Sequence, residues 1–407
     1  MNAPDTLSPS RQEKITASES ELVAWDMIRT LVGFDTTSRE SNLALIDWVR
    51  RYLESFGAQC TLTFDDDQRK ANLFATLPAR DGNATCGGIV LSGHTDVVPV
   101  DGQPWDTNPF EATLIGDRVF GRGVADMKSF SATGLAMVPE FLRQGLARPL
   151  HFALSYDEEV GCIGVRRLID DVVARDVKPL GCIVGEPTGM QLIVAHKGKK
   201  SWRCRVRGHE AHSSLTPLGV NAVQIACEIV TYLTNVARAF RDQGEFDHAY
   251  DVPYTTVHTG VIRGGTALNI VPRDCQFDFE IRHLPFDDPD ELFAEVEAYA
   301  RRFLPEMHNV DADAYIAFDL LSASPGFDTH GESDIAALGS SCSETADHAK
   351  VSFGTEAGLF HEAAISSIIC GPGHIAQAHQ PNEWVAVEQL KRCEAFMKRL
   401  VERVALA

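Results

Sequence analysis

The sequence predicts an α/β protein with a smaller α+β domain inserted into it. Short apolar runs alternate with amphipathic helical segments over the first half of the chain, which is typical of a sheet flanked by helices. The run at 87–99 is almost continuously apolar, as expected of a strand buried on both faces in a mainly parallel sheet. Near residue 200 the strands begin to alternate polar and apolar residues, which indicates a sheet with one solvent-facing side.

The first part of the chain begins with helical spacing over residues 20–57, where Gly57 ends the second of two helical segments. Strands and helices then alternate. The predicted strands are 59–64, 72–78, 87–99, 149–156 and 181–187, and the further predicted helices are 129–145 and 164–175.

The second part follows a β-α-β-β-α-β outline, which predicts a compact α+β domain. Its predicted strands are 200–214, 254–265 and 275–285, and its predicted helices are 219–240 and 288–304. The α/β pattern then resumes with a helix at 333–341, a strand at 364–373 and a helix at 387–404. We therefore predict one domain formed by residues 1–199 and 316–407 and a second formed by residues 200–315.

Composition limits the classes of function. A chain of 407 residues exceeds what a single core usually serves, and its net charge of -20 argues against nucleic acid or an anionic membrane as a partner. The same charge is compatible with bound metal cations or a cationic small substrate. No run approaches the roughly 20 apolar residues of a membrane span, and the polar N-terminus lacks the apolar core of a secretion signal. Ten scattered cysteines without a CxxC pair fit a reducing compartment, so we expect a cytoplasmic protein.

Polar side chains follow several of the predicted strands. His94 and Asp96 leave the end of one strand on the same side, where the carboxylate of Asp96 can accept the ring N–H of His94 and leave the other nitrogen for a metal. Alone, such a pair is a weak signal. Its place at the carboxyl end of a strand, where open α/β sheets bind ligands, strengthens it.

Further candidates come from four other segments. Asp126 follows a glycine-rich turn and directly precedes a helix, so it is either a ligand or an ordinary helix N-cap. Glu158 and Glu159, in "DEEVG", are either functional or part of an exposed acidic turn with Asp157. The remaining candidates are Glu186 in "GEPT" and His379 in "AQAHQPNEW".

These candidates form a set of oxygen and imidazole donors without a thiolate. Such donors suit zinc, cobalt or manganese. Two metals with five side-chain ligands need one bridging carboxylate and leave positions open for water, which is typical of a catalytic site. His209 and His212 in "GHEAHSS" do not have the HExxH spacing of a helical zinc site, so we interpret His212 as a polar donor.

With these residues in place, the chain resembles the M20 family of metal-dependent amidohydrolases and peptidases along nearly its whole length, and within it the acetylornithine deacetylase branch. The motifs that carry the resemblance are "SGHTDVVP", "WDTNPFEATLIGDRVFGRGVADMK", "DEEVG", "GEPT", "AHKGK", "AHSSLTPLGVNAV", "GTEAG" and "CGPGHIAQAHQPNEWV". The resemblance implies a zinc-peptidase-like catalytic domain and a ferredoxin-like dimerisation (lid) domain. One departure is Ser129, where the family commonly has glycine.

The resemblance also implies roles for individual residues. His94, Asp126 and Glu186 match the ligands of one metal ion, and the bridging Asp126 with Glu159 and His379 matches those of the other, Zn2+ or Co2+ in each case. Asp96 matches the carboxylate that orients His94, and Glu158 matches the general base.

Four further matches concern substrate and partner. His212 matches a histidine that reaches the active site of the partner in family dimers and donates to the oxyanion. Asn269 and Arg282 match substrate-contacting positions, the arginine for an α-carboxylate. Glu356 in "GTEAG" could attract a distal ammonium group such as that of ornithine, but related peptidases also carry an acidic residue at this position.

The implied activity is removal of the N-acetyl group from an acetylated amino acid by a homodimer joined through the inserted domain. N2-acetyl-L-ornithine is the expected substrate. Other activities of the family stay open, namely hydrolysis of N-acetylcitrulline or succinyl-diaminopimelate, aminoacylase action and dipeptidase action. A non-catalytic binding protein on the same fold is a further alternative, disfavoured because every ligand and the base are present.

Overall fold

In a computed structural model of the protein, the described residues are 22–344 and 347–406. They divide into two compact units, which we call the first unit (residues 22–195, 329–344, 347–349 and 355–406) and the second unit (residues 196–328 and 350–354). Residues 20 and 21 of the first predicted helix, and the N-terminal segment considered above, lie outside the described residues.

The first unit contains helices and strands in alternation, as predicted. Its helices are α1 (Trp25–Val32), α2 (Leu43–Glu54), α3 (Lys128–Ala136), α4 (Val138–Gln144), α5 (Ile163–Ala174), α9 (Asp334–Cys342), α10 (Ala357–Glu362) and α11 (Val387–Leu406). Its strands are β1 (Gln59–Phe64), β2 (Ala71–Leu77), β3 (Ile89–His94), β4 (Thr113–Ile115), β5 (Arg118–Phe120), β6 (Leu150–Ser155), β7 (Gly181–Val184), β8 (Leu192–His196, whose last residue falls in the second unit), β17 (Ser367–Ile369) and β18 (Trp384–Ala386). A 3₁₀ helix spans Ile375–Gln377, and β16 (His348–Val351) crosses the boundary between the units.

The central sheet has the order β1-β2-β6-β3-β7-β17-β8. The four middle strands, β6, β3, β7 and β17, run parallel, whereas β1, β2 and β8 pair antiparallel. Every residue of β3, β6 and β7 is buried, which confirms the inference drawn from the apolar run at 87–99. Because the middle strands are parallel, their carboxyl ends meet at one edge of the sheet. A separate small antiparallel sheet joins β18, β5 and β4.

The helix predicted over 129–145 is two helices. α3 ends at Ala136 and α4 starts at Val138, with Pro139 in its first turn. Proline lacks the N–H that would continue the hydrogen-bond ladder of α3, so the chain restarts the helix there. None of the helices in the described ranges combines the length and apolarity needed to cross a bilayer.

The second unit is built on an antiparallel sheet. Its strands are β9 (Gly198–Arg207), β10 (Ala211–His212), β11 (Thr256–Gly264), β12 (Ile270–Val271), β13 (Asp274–His283), β14 (Tyr315–Ser324) and β15 (Phe327–Asp328), and its helices are α6 (Ala222–Gln243), α7 (Pro289–Arg301) and α8 (Leu304–Val310), with a 3₁₀ helix at Ser213–Leu218. The main sheet has the order β11-β13-β9-β14. This order, with α6 and α7 in the two crossovers, is that of a ferredoxin-like α+β fold.

Alternation along β13 gives this sheet one buried face, as the sequence predicts. Trp202 and Phe293 stack there with ring centroids 4.6 Å apart. Asp288 caps α7 by accepting the backbone N–H of Asp290 at 2.8 Å. The predicted end of this domain at residue 315 is too early, because β14 pairs with β9 along its length and the unit continues to Asp328.

Candidate metal centre

The predicted ligands of the first unit converge at the carboxyl edge of its parallel strands. His94 is the last residue of β3, Glu158 and Glu159 follow β6, and Glu186 follows β7 by two residues. Gly185, between β7 and Glu186, permits the ring of Phe130 to pack closely, since a Cβ atom there would lie 2.0 Å from that ring. The two other ligands come from loops, Asp126 ahead of α3 and His379 after β17.

Asp126 lies between the two histidines. Its Oδ1 is 3.0 Å from Nε2 of His94, and its Oδ2 is 3.2 Å from Nε2 of His379. The alternative of a helix N-cap is wrong, because α3 is preceded by Met127 and has no side-chain cap. Two oxygens that face two different imidazoles are what a bridging carboxylate requires.

The remaining carboxylates complete two clusters. Oxygen and nitrogen atoms of His94, Glu158 and Glu186 lie within 4.8 Å of one another, as do those of His94, Asp126 and Glu159. His379 joins the second cluster through Nε2, which is 2.9 Å from Oε2 of Glu159. His94, Asp126 and Glu186 are buried, whereas Glu158 and Glu159 are partly accessible.

The pKa values at this edge reflect crowded acidic groups. Burial, reinforced by Asp126, raises the pKa of Glu186 well above its usual range. Burial likewise raises the pKa of Glu158 to about 8. Hydrogen bonds to Asp126 and Glu159 raise the pKa of His379 to about 10. Ionised carboxylates that are buried close together away from water raise the free energy of the folded state unless positive charge compensates them.

The donor set fits divalent cations. It contains carboxylate oxygens and imidazole nitrogens, the ligands that zinc and cobalt accept. The tautomer of His94 also fits, because its Nδ1–H donates to the backbone carbonyl of Asp96 at 2.9 Å and Nε2 keeps its lone pair for a ligand. The residues present therefore suit a centre for two divalent cations.

The predicted hydrogen bond from the ring N–H of His94 to the carboxylate of Asp96 is not formed. The carboxylate Oδ1 is 3.7 Å from Nδ1 of His94, and the backbone carbonyl takes the hydrogen bond instead. The carboxylate accepts the backbone N–H groups of Glu158 at 3.0 Å and Glu159 at 3.3 Å, and the hydroxyl of Ser38 at 2.7 Å. Asp96 therefore ties the end of β3 to the acidic turn after β6.

The acidic turn is relieved by a residue far away in sequence. Lys70 donates from Nζ to Oδ1 of Asp157 at 2.6 Å, and both side chains are largely buried. Asp157 thus pairs with Lys70, whereas Glu158 and Glu159 each belong to one of the two clusters. The alternative of an exposed acidic turn is wrong for this segment.

Hydrogen bonds hold both the backbone and the side chain of Glu158. Its carbonyl accepts the N–H groups of Gly161 and Cys162, each at 2.8 Å. The thiol of Cys162 donates to Oε1 of Glu158 at 3.3 Å.

An ion pair missed by the sequence analysis lies beside Asp126. Arg122 and Glu383, each 1% exposed, approach to 2.6 Å between Nη1 and Oε2. Oε1 of Glu383 accepts the backbone N–H groups of Ala125 at 2.9 Å and Asp126 at 3.2 Å. Charged residues next to ligand-bearing loops, in "GRGVAD" and "QPNEW", are the signal that could have found them.

Glu356 is buried beside two serine hydroxyls of the central sheet. It is 1% exposed, and its carboxylate accepts hydroxyl hydrogen bonds from Ser155 and, at 3.5 Å, from Ser92. These serines belong to β6 and β3, so Glu356 lies among the central strands. Its predicted contact with a distal ammonium group stays a prediction.

The other predicted residues belong to the second unit. His212 is exposed in β10, and its Nδ1 is 2.8 Å from Oγ of Ser214. Asn269 is exposed, and Arg282, in β13, donates from Nε to Glu280 at 2.9 Å. His209 pairs with Asp311 at 2.8 Å.

A mainly parallel α/β sheet with imidazole–carboxylate clusters at its carboxyl edge is a setting in which α/β proteins bind ligands, and these clusters are suited to divalent cations. The family model described as peptidase family M20/M25/M40 matches residues 90–403, most of the chain. The protein therefore belongs to this family and is a hydrolase that acts on amide bonds.

Known relatives agree with this assignment. Acetylornithine deacetylase of Proteus mirabilis (strain HI4320) is 32% identical over 378 residues, which cover 92% of this chain and 93% of that protein. The M20 family metallo-carboxypeptidase Sso-CP2 of Sulfolobus solfataricus is similar in fold, with a TM-score of 0.74, 16% identity and coverage of 95% of this chain and 99% of that chain. The YXEP protein of Bacillus subtilis, described as a dinuclear metal binding peptidase from the M20 family, has a TM-score of 0.66, 15% identity and coverage of 96% and 99%. These comparisons confirm the predicted fold class and family.

Proposed function

We propose that the protein hydrolyses N2-acetyl-L-ornithine to L-ornithine and acetate, a step of arginine biosynthesis in the cytoplasm. The observation that carries this proposal is the 32% identity, over almost the full length of both chains, to a relative named acetylornithine deacetylase. The ten cysteines, all in the described residues and none in a disulfide, are compatible with a reducing compartment.

We propose five residues as ligands of two divalent cations, Zn2+ or Co2+. His94 and Glu186 would hold one ion, Glu159 and His379 would hold the other, and Asp126 would be shared by both. The opposed oxygens of Asp126, 3.0 and 3.2 Å from the two imidazoles, support this division. When bound, divalent cations polarise a carbonyl and lower the pKa of water from 15.7 to about 7.

Glu158 is proposed as the general base and acid. It takes a proton from water as the amide carbonyl is attacked and gives it to the leaving amine. Its backbone, fixed by the N–H that donates to Asp96 and by the two N–H groups that its carbonyl accepts, and its place beside His94 and Glu186 support this role. Such proton transfer contributes about 10²–10⁴-fold to rate. Glu158 also falls in the cluster with His94 and Glu186, so metal content must be measured in every Glu158 variant.

The second unit is proposed to join two chains in a homodimer and to supply polar contacts to substrate. His212 would donate to the oxyanion across the dimer, a contribution of about 10²–10³-fold for such a donor. Asn269 would contact the substrate, and Arg282 would bind its α-carboxylate. The exposure of His212 and Asn269 supports their availability.

Another activity within the family is the second candidate. The similar solved structures include a carboxypeptidase, at 16% identity. The test is a panel of N-acetyl-ornithine, N-acetyl-citrulline, N-succinyl-diaminopimelate, other N-acetyl amino acids and dipeptides, assayed with zinc and with cobalt. The highest kcat/KM on N-acetyl-ornithine is expected. A higher value on another member reassigns the substrate, and no turnover of any member with metals bound favours a binding protein.

A further inference from the structure

The Arg122–Glu383 pair contacts two loops, the one that carries Asp126 and the one that carries His379. Glu383 lies four residues after His379, and its Oε1 accepts the backbone N–H groups of Ala125 and Asp126. The side chain of one ligand loop thereby holds the backbone of the other. The carboxylate is shared, because its second oxygen is bound by Arg122 at 2.6 Å.

Arg122 extends this connection back to His379. Its Nη2 donates to Oε1 of Gln103 at 2.6 Å, and Nε2 of Gln103 donates to the backbone carbonyl of His379 at 3.2 Å. Nη1 also reaches the carbonyl of Gln380 at 3.4 Å. The guanidinium thus reaches the carbonyl of Gln380 directly and that of His379 through Gln103. With the contact between His379 and Asp126, these hydrogen bonds form a closed ring that includes both predicted ligands.

Backbone pairing alone does not complete this connection. β5 and β18 pair up to Phe120 and Trp384, and the N–H of Gly121 donates to the carbonyl of Glu383 at 3.0 Å. Both ligands lie beyond the ends of these strands. Arg122 and Glu383 therefore connect the two loops beyond the point where the backbone pairing of β5 and β18 ends.

We propose that Arg122 and Glu383, with Gln103, are positioning residues that set the distance between Asp126 and His379 and thereby the affinity of the second metal ion. A buried ion pair is a poor source of net stability, because desolvation offsets the attraction, but it can fix one arrangement over others. Partners that orient metal ligands are worth about 10–100-fold in metal affinity. The proposal rests on the proposed function in taking Asp126 and His379 as ligands of one ion.

The test is a titration of the metal-free full-length protein with Co2+, followed by its visible absorption and by the number of ions bound after gel filtration. Glu383→Gln keeps the size of the side chain but removes the charge. Gln103→Ala removes the branch to His379, together with the hydrogen bond that Gln103 accepts from Trp105, and leaves the Arg122–Glu383 pair in place. Both are expected to bind the second ion about 10–100-fold more weakly. Gln103→Ala, which acts on the loop of His379, should leave the first ion unchanged. Glu383→Gln also loosens the backbone of the shared ligand Asp126, so it should weaken the first ion as well, but less than the second. The larger change in the cobalt spectrum is expected for the second equivalent.

Glu394→Gln is the matched control. Glu394 is also a buried carboxylate that accepts a backbone N–H, from Ala24 at 2.9 Å, but it lies in α11 and contacts no ligand loop among the described hydrogen bonds. It should retain both affinities even if its unfolding temperature falls. The double variant Arg122→Met/Glu383→Leu, which removes both charges, covers the case in which Glu383→Gln does not fold.

The outcomes separate this proposal from the proposed function. Wild-type affinities and spectra in Glu383→Gln, Gln103→Ala and the double variant overturn the positioning role. Equal weakening of both ions in all three also overturns it, because a general loss of structure would do the same. If the wild-type protein does not bind two ions, or if His379→Ala leaves the second ion in place, the proposed metal centre itself fails.

Discussion

Glu158→Gln is the sharpest single perturbation of the proposed mechanism. The amide keeps the size of the side chain but cannot accept a proton from water. The backbone is expected to stay in place, because its N–H donates to Asp96 at 3.0 Å and its carbonyl accepts two N–H groups at 2.8 Å, contacts that the substitution leaves intact. The variant therefore isolates the carboxylate.

The expected loss in kcat is about 10²–10⁴-fold, the range for a general acid–base group. At about 1.36 kcal/mol for each tenfold this is roughly 3 to 5 kcal/mol in the activation barrier. The assay is release of ornithine from N-acetyl-ornithine at saturating substrate, with metal content measured on the same samples. Glu158→Asp, which keeps a carboxylate but shortens the side chain, should retain more activity than the amide.

Near-full turnover by Glu158→Gln with both ions bound would refute the base assignment. Loss of an ion would show instead that Glu158 is a ligand, as its cluster with His94 and Glu186 allows.

Three further predictions address other parts of the account. Glu159→Ala and His379→Ala should each lower the metal content from two ions per chain to one by atomic absorption, and retention of both ions would contradict the assignment. Equal mixing of inactive His212→Ala and Glu158→Ala chains, after exchange of subunits, should restore about a quarter of wild-type activity if His212 acts across a two-fold dimer, and no recovery would argue against that action. Burial, assisted by Arg175, lowers the pKa of His151 from 6.5 to about 4, so the folded state binds the proton less readily than the unfolded state. The free energy of unfolding should therefore fall by about 3 kcal/mol as the pH falls from 6.5 to 4. His151→Gln should remove this part of the pH dependence when unfolding by urea is measured over that range. The same pH slope in the variant as in the wild-type protein would refute the role of His151.

The sequence predicts those ligands that directly follow buried strands. His94 and Glu186 stand at or just beyond the ends of β3 and β7, where an apolar run gives way to a polar residue. Parallel strands bring such positions together, so the convergence follows from the pattern. Asp126 and His379 come from loops; the set of oxygen and imidazole donors made them candidates, and the resemblance to a family divided them between the two ions.

The contacts and the domain boundary that the sequence did not predict correctly share a physical cause. Side-chain partners distant in sequence, such as Lys70 with Asp157 and Arg122 with Glu383, leave no local periodicity. The contact of His94 with a backbone carbonyl is also hidden, because every residue carries that group. The end of the second unit was misplaced because β14 belongs to a sheet whose partner, β9, is more than a hundred residues earlier.

The central claim is a pair of divalent cations bridged by Asp126, and anomalous X-ray diffraction from crystals of the zinc-loaded protein tests it most directly. The account predicts two anomalous peaks at the zinc edge, about 3.5–4 Å apart, with one carboxylate oxygen of Asp126 next to each. A single peak, or two peaks that do not share Asp126, would contradict it.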